Sequence, residues 1–458
     1  MRAKLVARAT KATTPIISLT KAQLDDWKAG AEGAHVAWVE RSRFSGRSGE
    51  LCLLPTSEGG LHAVLLGLGE AFEPWPFASL QKGLPKGRYA ISTELRPEEA
   101  SEAALGFGLG AYVFDRYKKA KPPEVELVWP SGADRSWVER LVDAICLARD
   151  LVNTPAQDLG PIELAAAVQR EGKAAGAKVS VIEGAQLLRK NYPSVHAVGR
   201  AAAQAPRLVD LRWGKPAHPK LTIVGKGVCF DSGGLDIKPA GGMLMMKKDM
   251  GGAAIALGLA KAVMDAKLPV RLRLLIPAVE NAISGNAFHP MDILSTRKGT
   301  TVEVGNTDAE GRLILSDALF EGATEKPELM IDFATLTGAA RVALGTEVPV
   351  MFSNRDDVAE ELLSASSRAK EPIWRLPLHQ PYRRFLDSPN ADISNTGSSR
   401  FGGAITAALF LEHFVEEVPW VHFDVMAYNL DNQPGRPSGG EAMALRAVYG
   451  YLSQRFGA

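Results

Sequence analysis

From about residue 220 the chain alternates apolar runs of strand length with segments whose apolar residues recur at helical spacing. That alternation restricts the fold to a mostly parallel sheet covered by helices. The strand candidates are LTIVGKGVCF (221–230), VRLRLLIPAV (270–279), ELMIDFATL (328–336) and WVHFDVMAY (420–428), with TTVEVG as a further short strand. Between them lie GGAAIALGLAKAVMDA, EGRLILSDALFEGATE and GGAITAALFLEHFV, each with the periodicity of a helix. In open α/β sheets ligand sites gather where loops leave the carboxyl ends of the strands. The polar residues of FDSGG and NTDAEGR fall at such places.

The 458 residues are enough for more than one domain. Residues 1–130 contain short apolar runs such as LHAVLLGLG (61–69) and the alanine-rich EEASEAALGFGLGAYVFDRY, which reads as helix; this part is expected to form a smaller N-terminal α/β domain. YKKAKPPEVELVWPSGADR (117–135) mixes a basic run, paired prolines and turn residues, and marks the boundary region. A linker region over 131–160 is expected to hold a helix from Arg135 to Val152, and Pro155 and Pro161 then interrupt the periodicity before IELAAAVQREGKAA. Residues 161–458 make the larger C-terminal domain, so the fold class is a two-domain α/β protein. No internal repeat is present.

Composition removes several functional classes. The formal net charge is +1, and residues 1–130 carry 17 Lys and Arg against 15 Asp and Glu. Nucleic acid is therefore an unlikely partner, since phosphate binding needs clustered cations. Cys52, Cys146 and Cys229 are too few and too scattered for a disulfide framework or a CxxC metal site. The opening segment MRAKLVARATKATTPIISL lacks the apolar core and cleavage pattern of a secretory signal, so a cytoplasmic protein is expected. The richest apolar stretch, Ala253 to Val263, is interrupted by Lys261 and is too short for a membrane span. Neither GxxxxGK[ST] nor GxSxG occurs, and the eight histidines form no HExxH arrangement.

The chemistry concentrates in two segments. GKGVCFDSGGLDIKPAGGMLMMKKDMGGAA carries Lys226, Asp231, Lys238 and Asp249 around glycine-rich turns, and GNTDAEGR adds Asp308, Glu310 and Arg312. Singly, each has an ordinary explanation: an Asp after a strand caps a turn, Lys226 is a snorkelling surface lysine, Arg312 is a solvated charge and Cys229 is a small core residue. Together, three Asp and one Glu converging on one sheet edge would repel one another as buried anions unless cations compensated them. Two oxygen-liganded ions about 3.5–4 Å apart can hold a bridging water, lower its pKa and polarise the bond it attacks.

In their order, GKGVCFDSGG, IKP, GMLMMKKDMGGAA, NTDAEGR and DFATLTGA resemble the leucine aminopeptidase (cytosol aminopeptidase) family, and the similarity extends through most of residues 150–458. The resemblance implies an enzyme that releases N-terminal amino acids from peptides, with leucine-like or broad preference. It implies one metal held by Lys226, Asp231, Asp249 and Glu310 and a second held by Asp231, Asp308 and Glu310, the ions being manganese or zinc, sometimes magnesium. A lysine ligand must be neutral, so its proton would have to be displaced. By the same transfer Lys238 stabilises the oxyanion and Arg312 holds a bicarbonate ion that relays the proton. The substrate's free α-amino group would bind one metal with the help of Asp249, and Met246, Thr335, Leu336 and Gly338 would shape the cleft for the first side chain. Family members are usually hexamers. WVHFDVMAYN departs from the more usual HLDIAG and puts Met426, Ala427 and Asn429 at the pocket, which leaves the side-chain preference open.

Two alternatives have different chemistry. Another two-metal hydrolase such as a phosphatase could use a carboxylate cluster, though it would ordinarily add histidines. A non-catalytic scaffold or DNA-binding protein could keep the fold, but it would tolerate loss of ligands, and all seven positions are filled here.

Overall fold

Apolar runs in the N-terminal part form a six-stranded sheet in a computed structural model that describes residues 3–457; Met1 and Arg2, the first residues of the opening segment, lie outside the described residues. Its strands are β1 (Lys4–Val6), β2 (Thr14–Leu19), β3 (Leu51–Pro55), β4 (Leu61–Gly67), β5 (Gly87–Ile91) and β6 (Val125–Val128). They lie in the order β1-β6-β5-β2-β4-β3, parallel throughout except for the β3–β4 pair. Ile16, Val64, Leu66, Phe77, Phe107 and Leu127 close a core on it. The alanine-rich helix runs from Pro97 to Gly110 and stops there, short of Tyr117, after three glycines in its last five residues. At its start Glu99 Oε2 accepts from the Arg96 amide at 3.1 Å.

The chain divides into two compact units, Met1–Cys146 with Asp431–Ser438, and Leu147–Leu430 with Gly439–Ala458. A helix covers Arg135–Asn153. In the second unit follow β7 (Lys178–Glu183), β8 (Arg207–Trp213), β9 (Lys220–Gly225), β10 (Gly227–Asp231), β11 (Arg271–Asn281), β12 (Ile293–Ser295) and β13 (Thr301–Glu303). Then come β14 (Leu329–Ala334), β15 (Val350–Ser353), β16 (Trp374–Arg375), β17 (Ile393–Ser394) and β18 (Trp420–Asp424). Nine of these strands make one mixed sheet in the order β16-β15-β18-β14-β9-β11-β8-β7, with β10 also pairing β11. β12, β13 and β17 form a separate small sheet. The central strands of the nine-stranded sheet, β9, β14 and β18, are buried almost throughout, which is why they read as continuous apolar runs rather than as alternating ones.

The single run 221–230 is two strands, because the ladder breaks at Lys226. β9 pairs β11 over Arg271–Leu275, and β10 resumes against Ala278–Asn281 of the same strand. Released from the β11 ladder, the Lys226 amide donates to Phe333 O at 3.0 Å and its carbonyl accepts from Ala253 N at 2.9 Å. Strand β14 and the helix Gly251–Asp265 therefore fix the backbone of Lys226 from two sides.

That helix is buried from Gly251 to Met264 save for Lys261, the pattern of a central core helix. No helix among the described residues is long and apolar enough to cross a membrane. Its first turn lies directly on β14. A Cβ on Gly252 would fall 2.1 Å from Phe333 O and 2.7 Å from its carbonyl carbon. Gly252→Ala is expected to force the helix off the strand and lower stability by about 1–3 kcal/mol, read as a lower midpoint in denaturant unfolding. An unchanged midpoint would mean that the helix is free to shift.

Candidate metal centre

Every residue singled out for chemistry lies at the carboxyl edge of the large sheet or in the loops beside it. Lys226 occupies the break between β9 and β10, and Asp231 ends β10. Lys238 lies in the loop after it, and Asp249 in the single 3₁₀ turn Met246–Met250 that leads into the helix Gly251–Asp265. Asp308 lies in the turn after β13, while Glu310 and Arg312 belong to the first turn of the helix Glu310–Ala323. All but Lys238 and Asp308 are buried.

Two ammonium groups hold the four carboxylates. Lys226 Nζ lies 2.7 Å from Asp249 Oδ2 and 2.9 Å from Glu310 Oε1, and it donates to Thr335 O at 3.1 Å. Lys238 Nζ lies 2.8 Å from Asp231 Oδ2 and also contacts Asp308 Oδ1. Donor atoms of Asp231, Asp308 and Glu310 all fall within 4.8 Å of one another. Lys226 can reach Glu310 because residue 311 has no side chain: a Cβ there would stand 2.5 Å from Lys226 Cε and 2.7 Å from its Nζ.

The electrostatics follow from burial and from this crowding. Burial pushes the Asp231 carboxyl up, and the Asp249 charge adds to it, so that it rises to about 6 despite Lys226 and Lys238. Burial and the Asp231 charge raise Glu310 well above the ordinary carboxylate range. Burial alone would lower Lys226, but Asp249, Glu310 and Asp231 outweigh it and hold the ammonium more firmly than in water. Asp249 is drawn the other way: its burial is overcome by Lys226 and Lys248, which keep it ionised. Arg312 is lowered to about 10 by burial and remains a cation at neutral pH.

The site still lacks positive charge and donors. Four carboxylates share two ammonium groups, and Asp249 Oδ2 and both Glu310 oxygens are buried without an oriented hydrogen bond among the described residues. Arg312 Nε is likewise buried without a hydrogen-bond partner. Hard oxygen donors with unfilled lone pairs, gathered where anions repel, suit divalent cations.

Of the residues expected to shape the cleft, Thr335 and Met246 fall beside this centre. Thr335 Oγ1 donates to Asp249 Oδ1 at 2.8 Å, and Met246 begins the turn that carries Asp249. Leu336 and Gly338 flank Thr337, which caps the helix Gly338–Leu344.

Several supporting residues were not anticipated from the sequence. Asn281, at the end of β11, donates to Asp231 Oδ1 at 2.9 Å and to Thr307 O at 3.1 Å. Thr307 latches the two chemical segments together: its hydroxyl donates to Gly233 O at 2.6 Å, and its amide donates to Asp236 Oδ2 at 2.7 Å. Asp424 accepts from the Leu336 amide at 3.0 Å and from the Thr337 hydroxyl at 2.6 Å. A charged residue at the end of the otherwise apolar WVHFD run was the available signal for Asp424. Nothing in the sequence distinguished Thr307 from an ordinary turn residue.

Residues 146–449 match the catalytic domain of the cytosol aminopeptidase family, and residues 14–130 match the M17 aminopeptidase N-terminal domain. The fold superposes on a crystal structure of cytosol aminopeptidase from Coxiella burnetii with a TM-score of 0.95 and 50% identity, over 99% of each chain. It also superposes on the bottromycin maturation enzyme BotP in complex with Mn, with a TM-score of 0.88 and 34% identity, over 97% of this chain and 99% of that one. A probable cytosol aminopeptidase of Syntrophotalea carbinolica is 37% identical over 96% of this chain and 94% of its own length. Such coverage sets aside the phosphatase and scaffold alternatives: the chain belongs to the cytosol aminopeptidase family and is a metal-dependent exopeptidase that hydrolyses peptides from the N-terminus.

Proposed function

We propose that the carboxylate cluster holds two divalent cations, one on Lys226, Asp231, Asp249 and Glu310 and the other on Asp231, Asp308 and Glu310, and that the chain removes leucine-like or varied N-terminal residues there. The observation that carries this reading is the set of buried oxygens on Asp249 and Glu310 that make no oriented hydrogen bond, with the Lys226 ammonium as the one cation shared between them. Manganese is the first candidate, since the similar BotP structure holds Mn; zinc and magnesium suit the same oxygen donors. When bound, such ions lower the pKa of a water and polarise the peptide carbonyl.

The protein's own groups do the rest. Asp249, ionised and held by the Thr335 hydroxyl, orients the substrate's α-ammonium end, so only a free N-terminus fits. Lys238, partly exposed at the rim of the cluster, presents its ammonium to the carbonyl oxygen as that oxygen gains negative charge. Arg312 offers a buried, unpartnered Nε to an anion, and bicarbonate is the ion proposed there. Met246, Thr335, Leu336 and Gly338 enclose the first side chain. The acting species is proposed to be a cytoplasmic homohexamer with peptides as its substrates and neither membrane nor nucleic acid as partner.

Removal of divalent ions by a chelator is expected to abolish hydrolysis of aminoacyl amides, and added Mn²⁺ to restore it; full turnover of the chelated protein would overturn the metal assignment. Asp308→Ala and Glu310→Ala are each expected to reduce bound metal, counted by elemental analysis, and to eliminate turnover in a protein that still unfolds cooperatively. Lys238→Ala should keep its metal but lose about a hundredfold or more in kcat. Retention of wild-type kcat in that variant would remove Lys238 from the chemistry.

A further inference from the structure

The helix Gly338–Leu344 projects one cation toward the substrate side of the centre. Arg341 is partly buried, and its Nη2 lies 3.6 Å from the point that a Cβ on Gly338 would occupy. Its Nη1 lies 3.6 Å from Met426 Sδ, and its charge reaches Lys248, the residue before Asp249. The guanidinium thus stands between two residues assigned above to the pocket for the first side chain, Gly338 and Met426.

What it lacks is an anion. Two other guanidinium groups of this unit, both buried, meet carboxylates: Arg273 lies 2.7 Å from Asp210 and 2.6 Å from Glu321, and Arg149 lies 2.9 Å from Glu441. Arg341 forms no ion pair among the described residues, and its one side-chain hydrogen-bond contact is a thioether, a weak acceptor. Most of its donors remain unused, in a fork shaped for a carboxylate.

Met426 gives the fork its position. Ala427 adopts φ +53°, an uncommon conformation for a residue with a side chain, and packs against the backbone of Gly251, two residues after Asp249. Met426 is thereby held at the end of β18 with its sulfur against Arg341, so the pocket has an apolar wall that ends in a cation. A leucine side chain would leave the guanidinium pressed against hydrocarbon. An aspartyl or glutamyl side chain would satisfy it.

We propose that Arg341 is a specificity residue that selects peptides beginning with an acidic residue, its guanidinium pairing with the carboxylate of the first side chain. The inference rests on the site assignment above, and the test separates the two. The metal-loaded full-length enzyme is assayed on aspartyl, glutamyl, leucyl and alanyl p-nitroanilides, as wild type and as Arg341→Leu, Arg341→Gln and Arg341→Lys. The wild type is expected to favour the acidic substrates. Arg341→Leu and Arg341→Gln should each lower the ratio of acidic to leucyl kcat/KM roughly ten- to a hundredfold, mainly through KM, and Arg341→Lys should keep part of it. Because the ratio is taken within one preparation, loss of folded protein does not imitate it. A wild type active on leucyl and alanyl substrates, with an acidic-to-leucyl ratio that none of the variants changes, overturns the proposal and leaves the centre intact. Inactivity of the loaded wild type on the whole panel overturns the site assignment and the proposal with it.

Discussion

Four carboxylates brought together in a buried space are the constraint around which this domain is arranged. Their mutual repulsion would open the sheet edge if nothing countered it, and here Lys226 and Lys238 do so, each between two carboxylates. The compensation is incomplete, because three buried oxygens remain without an oriented donor. A protein that needed only stability would do better with apolar residues at these positions. The cluster is therefore intelligible as a cation site. It also explains how a lysine can belong to such a site: its ammonium balances the anions until cations do, and a ligand role then requires it to give up its proton.

Placing these groups needs two distant segments to meet, and the backbone arranges this more than the ligands do. The break between β9 and β10 turns Lys226 out of the β11 ladder, and Phe333 and Ala253 hold it there. Thr307 bonds both Gly233 and Asp236, so the loop carrying Asp231 and Lys238 is tied to the turn carrying Asp308. Asn281 bridges the same two segments from β11. These latches use small polar side chains whose partners lie far away in the chain.

That division describes what could be read in advance. The central strands and the buried helices were visible because burial on both faces leaves unbroken apolar runs, and the acidic residues stood out because they interrupt those runs at strand ends. The break at Lys226 was not visible, since 221–230 is apolar on both sides of it and only pairing with β11 defines two registers. The expected helix through Tyr117 ended at Gly110, where apolar periodicity continued past the residues able to sustain a helix. Asp431–Ser438 groups with the N-terminal unit, a long-range association for which composition offers no sign. Arg341 was not singled out from the sequence, because the absence of a partner is a property of three-dimensional surroundings alone.

Beneath the loop that follows β14 lie buried polar side chains that fasten it to the sheet. Trp420, His422 and Asp424 alternate along β18 and so share one face of the sheet. On the neighbouring β14, Asp332 is in register with His422; it accepts from Trp420 Nε1 at 2.8 Å and meets His422 Nδ1 at 2.7 Å. Trp420, His422 and Asp332, from two adjacent strands, are thus joined in a fully buried network, in which moving Asp332 would leave both of its partners without an acceptor. Asp424 stands at the end of β18 and grips the amides of Leu336 and Thr337. The loop that carries Thr335, orients Asp249 and launches the helix of Arg341 is consequently fastened to the rigid core by one carboxylate. Position at the rim comes from the hydrogen-bonded carboxylates below it, while the buried oxygens of Asp249 and Glu310 stand without an oriented hydrogen bond where a cation is proposed to bind.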